Sequence, residues 1–345
     1  MKRKALLQNL ALVGGSLLLF FMLGEVGLRI GGYNPMPDVS EVLKEYRNVE
    51  PAVNEPDSKY GWVNKPGHYS TIDYGALGPA LQKQAPLLMG MEGNARKQLM
   101  MSLLLGHRNQ SLTIRPDRSR NTTDQVNEGK PGASALIIGG SYTFGLGLPD
   151  HSTYPYILNG IWKDLAVRNF ASSGYGTYQS LLRMEEEFSK SNPSVVIYGY
   201  IYNHELRNVG SYGHIVAMNL LPRSGQTVSV PFVSVTKAGI LRRHQPETYP
   251  YLARNRISYL LAFIADRIYR IHAYGRDKEK AEVTDQLLRR MKSLAERKDA
   301  RFMVVILSVP DQLRNQVQNR LSRIPVETVD CDPDDSVEQA NLLPM

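Results

Sequence analysis

The sequence is poor in cysteine, and Cys331 is its single cysteine among 345 residues. One cysteine cannot build a disulfide framework or a cysteine-rich zinc site. The phosphate-binding patterns G-x-x-x-x-G-K-[ST] and G-x-G-x-x-G are also missing, so a nucleotide-binding protein has little support. We therefore expect neither a metal nor a cofactor.

The chain also lacks a strong excess of one charge. Its formal net charge of +8 is modest for this length, and no platform of basic residues interleaved with aromatic residues accompanies it. Nucleic acid is therefore not expected as a partner. One basic cluster, Arg108, Arg115, Arg118 and Arg120, is interpreted as a solvated loop, and attraction to anionic lipid or glycan is the alternative.

Long apolar runs are absent except at the N-terminus. Lys2, Arg3 and Lys4 precede an apolar run from Ala5 to Leu23, whose 19 residues suffice to cross a hydrocarbon core of about 30 Å. The basic flank predicts a cytoplasmic N-terminus. We predict a signal anchor over residues 1–30 with the remainder extracytoplasmic. A cleaved signal peptide is the alternative, but "GEVGLRIGGY" offers no A-x-A-like site.

Residues 31–133 contain many prolines, glycines and asparagines. This composition predicts a stalk followed by a small, loop-rich lead-in to the main domain. We expect a hairpin around residues 60–74 and a short amphipathic helix within residues 85–106.

From residue 134 onward, strand and helix patterns alternate. Helical patterns cover residues 257–271 and 277–299, and the strand candidates are Ala135 to Ile138, Ala166 to Phe170, Ser194 to Tyr202 and Phe302 to Val309. The alternation predicts an α/β domain with a parallel sheet and helices on both faces. Ligands of such sheets bind at the carboxyl ends of the strands.

Unusual residues follow three of these strands. The first strand runs into Gly139-Gly140-Ser141, where Ser141 is a candidate nucleophile and a tight turn is the alternative. The hydrolase elbow G-x-S-x-G is absent, because Thr143 occupies its last position. "NFASSGYGTYQ" follows the second strand. Asn203 follows the third, either as a turn former or as a donor aimed into the cleft.

The three blocks together resemble the SGNH (GDSL-like) hydrolase superfamily, specifically its membrane-anchored bacterial members. "GGSYTFGLG" is similar to that family's G-D-S-x-T-x-G-x-G, "NFASSGYGTYQ" to its N-x-G-x-x-G-Y-G-T-x-Q, and "YNH" to its Tyr-Asn-Asp. The resemblance covers residues 135–208, and "YGWVNKPG" in the lead-in fits it too. It implies a three-layer α/β/α sandwich with a flavodoxin-like sheet over residues 134–345.

The resemblance also implies roles for residues. Ser141 would be the nucleophile, and the oxyanion hole would use the backbone N–H groups of Ser141 and Ala171 and the side-chain amide of Asn203. The reaction would be ester hydrolysis or acyl transfer. The substrate would be an ester-bearing small molecule or an O-acetylated envelope glycan or exopolysaccharide, with other envelope polysaccharide proteins as partners. The implied location is the bacterial cytoplasmic membrane, with a single span and a periplasmic domain.

The sequence departs from the family pattern in three places. Gly140 replaces an Asp, Ala171 replaces a Gly, and the last block, D-x-x-H, which supplies the general base, is not found. No histidine follows His272. We therefore expect that the sequence ends early, through a frameshift, a premature stop or a split gene. His204 is the histidine nearest the predicted cleft and is the stand-in candidate for the base. The alternative function is an inactive or truncated relative that at most binds glycan or a partner protein.

Overall fold

The computed structural model describes residues 2–35, 52–91, 93–124, 133–162, 164–220, 228–254 and 257–332. Parts of the predicted stalk and lead-in, residues 36–51 and 125–132, lie outside these ranges, as does the C-terminal stretch 333–345. The chain divides into two compact units, Met1–Val39 with Tyr249–Gly275, and Ser40–Thr248 with Arg276–Met345.

The helices and strands of the described residues are named here in chain order. The helices are α1 (Lys2–Ile30), α2 (Tyr74–Met89), α3 (Gly93–Gly106), α4 (Ser141–Phe144), α5 (Tyr154–Ile161), α6 (Thr177–Lys190), α7 (Asn203–Asn208), α8 (Tyr212–Leu220), α9 (Tyr259–Asp277), α10 (Lys280–Glu296) and α11 (Asp311–Leu321). The strands are β1 (Asn54–Asp57), β2 (Gly61–Asn64), β3 (Gly67–Thr71), β4 (Gln110–Ile114), β5 (Ala133–Gly139), β6 (Leu165–Asn169), β7 (Val195–Ile201), β8 (Val233–Val235), β9 (Leu241–Arg243), β10 (Arg301–Ser308) and β11 (Glu327–Asp330).

A parallel sheet of five strands forms the centre of the second unit. Its strand order is β11-β10-β7-β5-β6, and every neighbouring pair is parallel. Counted along the chain, this order is 2-1-3-4-5, which is the flavodoxin-like arrangement. The α/β class, the parallel sheet and the strand order are confirmed. The crevice of such a sheet lies where the first and third strands diverge, here beyond the carboxyl ends of β5 and β7.

Helices cover both faces of this sheet, which makes the domain three-layered as predicted. Ala135, Ile137 and Ile197 share a core with Tyr154 and Leu158 of α5. Adjacent residues of a strand point to opposite faces. Tyr198 accordingly lies on the other face, where its hydroxyl is 2.7 Å from that of Thr177 on α6. The central strands β5 and β7 are almost wholly buried, as their unbroken apolar sequences predict.

The lead-in is more regular than its composition predicts. The hairpin joins β1 to β2, and β3 pairs instead with the distant β4, so the prediction of a hairpin at 60–74 was wrong. The single helix expected within residues 85–106 is two helices, α2 and α3. Two prolines lie inside α2, at positions 79 and 86. Proline weakens the sequence signal for a helix. Packing around Ile72, Leu77 and Leu104 stabilises this region instead.

The first unit contains the apolar N-terminal helix. Gln8–Ile30 is the one segment of the described chain that is long and apolar enough to cross a membrane, with a mean hydropathy of 1.9 and none of its window buried. The end of α1 is joined to the start of α9. The Glu25 carboxylate accepts hydrogen bonds from the backbone N–H groups of Tyr259 (3.0 Å) and Leu260 (2.9 Å), and so caps that helix.

Candidate active site

The loops that follow β5, β6 and β7 meet at Gly140. A Cβ atom placed on Gly140 would lie 2.4 Å from Nε2 of His204, 3.0 Å from the carbonyl oxygen of Tyr175 and 3.1 Å from Nη1 of Arg207. The structure therefore brings the three sequence blocks together at one edge of the sheet. Glycine is required at position 140 because side chains and backbone of the other two loops occupy the space a Cβ atom would need.

Ser141 is the first residue of α4 and is partly exposed. Its hydroxyl makes no hydrogen bond within the described residues. Its backbone N–H lies in the first turn of a helix, where N–H groups have no intrahelical partner. Ser141 therefore presents an accessible hydroxyl and a backbone donor at the carboxyl end of β5, which is the placement a nucleophile at this edge requires.

Thr143 fixes the turn that carries Ser141. Its Oγ1 atom would lie 2.4 Å from a Cβ atom at Gly139 and 1.9 Å from one at Gly199. Gly139 and Gly199 are register partners on β5 and β7. The two glycines thus leave a gap in the sheet surface into which the side chain of Thr143 packs.

The buried guanidinium of Arg120 holds the glycine-rich segment after α4. It donates to the carbonyl oxygens of Phe144 (2.6 Å) and Leu148 (2.5 Å) and pairs with the Asp150 carboxylate at 3.0 Å. Burial lowers the pKa of Arg120, and the charge of Asp150 opposes that shift. The prediction that Arg120 belongs to a solvated cluster was wrong, because several carbonyl groups from distant positions satisfy its donors.

The backbone N–H of Ala171, which was predicted to be an oxyanion donor, already has a hydrogen-bond acceptor. The N–H of Ala171 donates to Oδ1 of Asn169 at 3.0 Å, and Ala171 is fully buried. The Nδ2 group of Asn169 donates in turn to the carbonyl oxygen of Thr143 at 3.0 Å. Ala171 therefore does not present a free donor, and its predicted role in the oxyanion hole is not supported. Asn169 instead ties the loop after β6 to the Ser141 turn.

Gly174 offers the donor that Ala171 lacks. Its backbone N–H makes no hydrogen bond within the described residues, and the residue is partly exposed. Its φ of 85° lies in the left-handed region that favours glycine. A Cβ atom there would also lie 2.9 Å from the ring of Trp62. The glycine spacing of "NFASSGYG" could have pointed to this residue.

Strand β2 of the lead-in is joined to the Gly174 loop by hydrogen bonds. The indole N–H of Trp62 donates to the carbonyl oxygen of Ser173 (2.8 Å), and the hydroxyl of Tyr175 donates to the carbonyl oxygen of Trp62 (2.6 Å). Nδ2 of Asn64 donates to the carbonyl oxygen of Ala171 at 2.9 Å. The "YGWVNKPG" segment is thus a structural part of the site, which the sequence shows only through its resemblance.

Asn203 begins α7 at the carboxyl end of β7, next to β5 in the sheet. The residue is exposed, and its amide makes no hydrogen bond within the described part of the chain. A turn-forming asparagine would use its side chain to satisfy nearby backbone groups. The free amide favours the interpretation that Asn203 donates a hydrogen bond to a ligand.

The side chain of His204 lies against Gly140, the residue that precedes Ser141. Its Nδ1 atom is 2.6 Å from the hydroxyl of Tyr198, and its buried Nε2 atom has no hydrogen-bond partner among the described residues. Burial, helped by the charge of Arg207, holds the pKa of His204 well below its usual value, so the ring is neutral at pH 7. No hydrogen bond joins it to Ser141, so this geometry does not support His204 as the general base.

Comparisons with known proteins gave matches among solved structures at low similarity. No family model and no curated protein matches the chain. Matches among solved structures include a GDSL-like lipase from Bacteroides thetaiotaomicron (14% identity, TM-score 0.30, 59% of this chain and 71% of that one). Others are a mutant of the esterase AlinE4 (13%, 0.31, 59% and 77%) and TesA (12%, 0.29, 55% and 69%). At these TM-scores, the fold class rests on the chain's own strand order.

Proposed function

We propose that this chain is a membrane-anchored, extracytoplasmic serine esterase or O-acyl transferase of the SGNH type. The observation that supports the proposal is that Ser141, Gly174 and Asn203 follow three neighbouring parallel strands, and that the hydroxyl, N–H and amide of these residues make no hydrogen bond within the described residues. Free donors held by a rigid framework are what an oxyanion hole needs.

In the proposed reaction, the Ser141 hydroxyl oxygen attacks the carbonyl carbon of an ester. The backbone N–H groups of Ser141 and Gly174 and the amide of Asn203 stabilise the negative charge that forms on the carbonyl oxygen. Collapse breaks the bond to the alcohol, which leaves with a proton, and an acyl-serine remains. Water then releases the acid, or an acceptor hydroxyl takes the acyl group. A base must accept the Ser141 proton, and no described residue hydrogen-bonds that hydroxyl.

The substrates proposed are O-acetylated glycans of the cell envelope or exopolysaccharides, or smaller esters. This part of the proposal follows from the sequence resemblance to anchored bacterial members of that superfamily. The proposed location is the bacterial cytoplasmic membrane with a cytoplasmic N-terminus. The capping of α9 by Glu25 supports an uncleaved anchor, because a leader that is removed would take this cap away from the folded protein. The mass of the mature N-terminal peptide tests this: loss of residues 1–30 would contradict it.

No base among the described residues hydrogen-bonds the Ser141 hydroxyl, and this observation favours a second candidate function, which is binding of an acylated glycan without turnover. One experiment separates the two. The purified full chain is incubated with p-nitrophenyl acetate and with acetylated xylan, beside Ser141→Ala and a control, Ser152→Ala, which changes an exposed serine. Turnover, or an acetyl group on the Ser141 peptide, in the parent and control but not in Ser141→Ala supports the enzyme. Equal turnover in all three overturns it. Binding without turnover supports the second candidate.

A further inference from the structure

We propose that the outer face of α9 rests on the headgroup region of an anionic lipid bilayer, beside the outer end of α1. The inference rests on the membrane anchoring proposed above. It assigns a second contact with the membrane, made by a segment more than 200 residues away in the sequence.

Helix α9 is apolar on two sides. One side, with Ala262, Tyr269 and Ala273, is buried, and there the Asp266 carboxylate accepts a hydrogen bond from the hydroxyl of Tyr249 at 2.8 Å. The other side is exposed. Four of its large aliphatic residues, with their exposed fractions, are Leu261 (43%), Ile264 (41%), Ile268 (65%) and Ile271 (75%), and Ile257 (83%) lies two residues before the helix begins.

The four residues on α9 form a continuous stripe. They follow one another at intervals of three, four and three residues, so they fall within an arc of about 80° on an α-helix. A polar outer face would indicate that this side of the helix contacts water. An outer face of isoleucine and leucine requires an apolar neighbour.

The position of the stripe identifies that neighbour. Leu260 packs on α1 at Gly24, where a Cβ atom would lie 3.0 Å from Leu260 Cδ2. The Arg29 guanidinium donates to the carbonyl oxygen of Ile257 at 3.0 Å and covers the Tyr259 ring at 4.2 Å. The stripe therefore begins beside the last two turns of the candidate membrane span, which ends at Ile30. When α1 crosses a bilayer, Ile257 and Leu261 lie at the outer boundary of that same bilayer.

The charge of this segment fits an anionic lipid surface. Residues 249–275 contain four arginines and one acidic residue, Asp266, which is buried. Arg267 is exposed at the edge of the stripe. Exposed tyrosines lie at both ends of the segment, with Tyr251 73% and Tyr274 55% exposed. An aliphatic stripe with arginines and tyrosines at its borders is typical of helices that lie in the membrane interface.

The test uses the full chain with Cys331→Ser, which removes the one native thiol, reconstituted in vesicles of phosphatidylethanolamine and phosphatidylglycerol. Single cysteines are introduced as Ile268→Cys, Arg267→Cys and Leu17→Cys and labelled with the environment-sensitive fluorophore NBD. Quenching by lipids that carry a doxyl group on the acyl chain reports contact with the bilayer. Arg267 is the matched control for Ile268, since the two are neighbours in sequence and lie about 100° apart around the helix.

We expect strong quenching at position 17, and quenching at position 268 several-fold greater than at position 267. Quenching at 268 should weaken when phosphatidylcholine replaces the anionic lipid. Quenching at 17 without quenching at 268 overturns the inference and leaves the anchor intact. Quenching at neither position contradicts the anchor itself. Protection of position 268 that depends on the ratio of protein to lipid overturns the inference in favour of a second copy of the chain.

Discussion

The imidazole of His204 fills the space that a side chain at position 140 would need. Its Nε2 atom lies 2.4 Å from the place of a Cβ atom on Gly140, less than any ordinary contact. In the family pattern that the sequence resembles, both positions carry aspartate. Here a larger residue at position 204 accompanies the absence of a side chain at position 140, and the two residues are neighbours in the structure.

We expect Gly140→Ala to destabilise the protein by about 1–3 kcal/mol, because a buried group must be displaced. In a His204→Ala background the same change should cost less by 1 kcal/mol or more, since the contacting atom is gone. Denaturant unfolding of the four proteins in detergent measures this coupling. Equal costs in both backgrounds would show that the contact with His204 is not what excludes a side chain.

The stability of the folded domain should fall in acid through His204. Since burial lowers its pKa well below 6.5, the folded state keeps the ring neutral while the unfolded chain binds a proton below that pH. The contribution is full above about pH 6.5 and is lost as the pH falls below it, by about 1.4 kcal/mol per pH unit.

His204→Gln should therefore reduce the loss of stability between pH 7.5 and pH 5, measured by urea unfolding. Burial raises the pKa of Asp285 to about 6, so this residue makes the folded state more stable as the pH falls and opposes part of the effect of His204. Its contribution is the same in the parent and the variant, and the two are therefore compared directly. An unchanged slope in His204→Gln would contradict the buried, neutral state of this ring.

Arg120 should be essential to the fold of the segment that carries Ser141. Arg120→Met leaves the Asp150 charge without its partner and removes donors from two or more carbonyl groups, and we expect a loss of about 3–5 kcal/mol. Thermal unfolding measures this. The control is Arg289→Met, since Arg289 donates to one carbonyl group at the surface. Similar small losses for both variants would contradict the buried role of Arg120.

If the chain turns over esters, Asn203→Ala should lower kcat by about 10²–10³, as the removal of one oxyanion donor does elsewhere. KM and the melting temperature should change little, because the Asn203 amide is exposed and makes no hydrogen bond within the described residues. Asn315→Ala, which truncates an exposed asparagine on α11, is the matched control. A fall in melting temperature that accounts for the lost activity would assign Asn203 a structural role instead.

The sequence alone predicted the strands well, because buried parallel strands are continuous apolar segments. Each of the four candidate strands was placed within two residues of its structural bounds, and the resemblance supplied the strand order. The features that were missed depend on contacts between distant residues. The carbonyl partners of Arg120, the bond between Ala171 and Asn169, and the packing of Trp62 on Gly174 leave no periodic signal.

The junction of α1 and α9 was missed for the same reason. In the sequence, Glu25 is a polar residue at the end of an apolar run. Its sequence neighbours do not indicate that it caps a helix that begins at Tyr259. The prolines of α2 caused a different error. They led the sequence analysis to predict a loop where the structure has a packed helix.

The packing of Thr143 between Gly139 and Gly199 has a consequence for sequence evolution. No single substitution by a larger residue at either glycine fits while threonine stays in place, because both positions face the same hydroxyl. In a set of related sequences, the sizes of these three residues should therefore vary together. An enlarged residue at 139 or 199 should occur with alanine or glycine at 143, and an alignment in which the three vary independently would indicate that the turn bearing Ser141 can be built in another way.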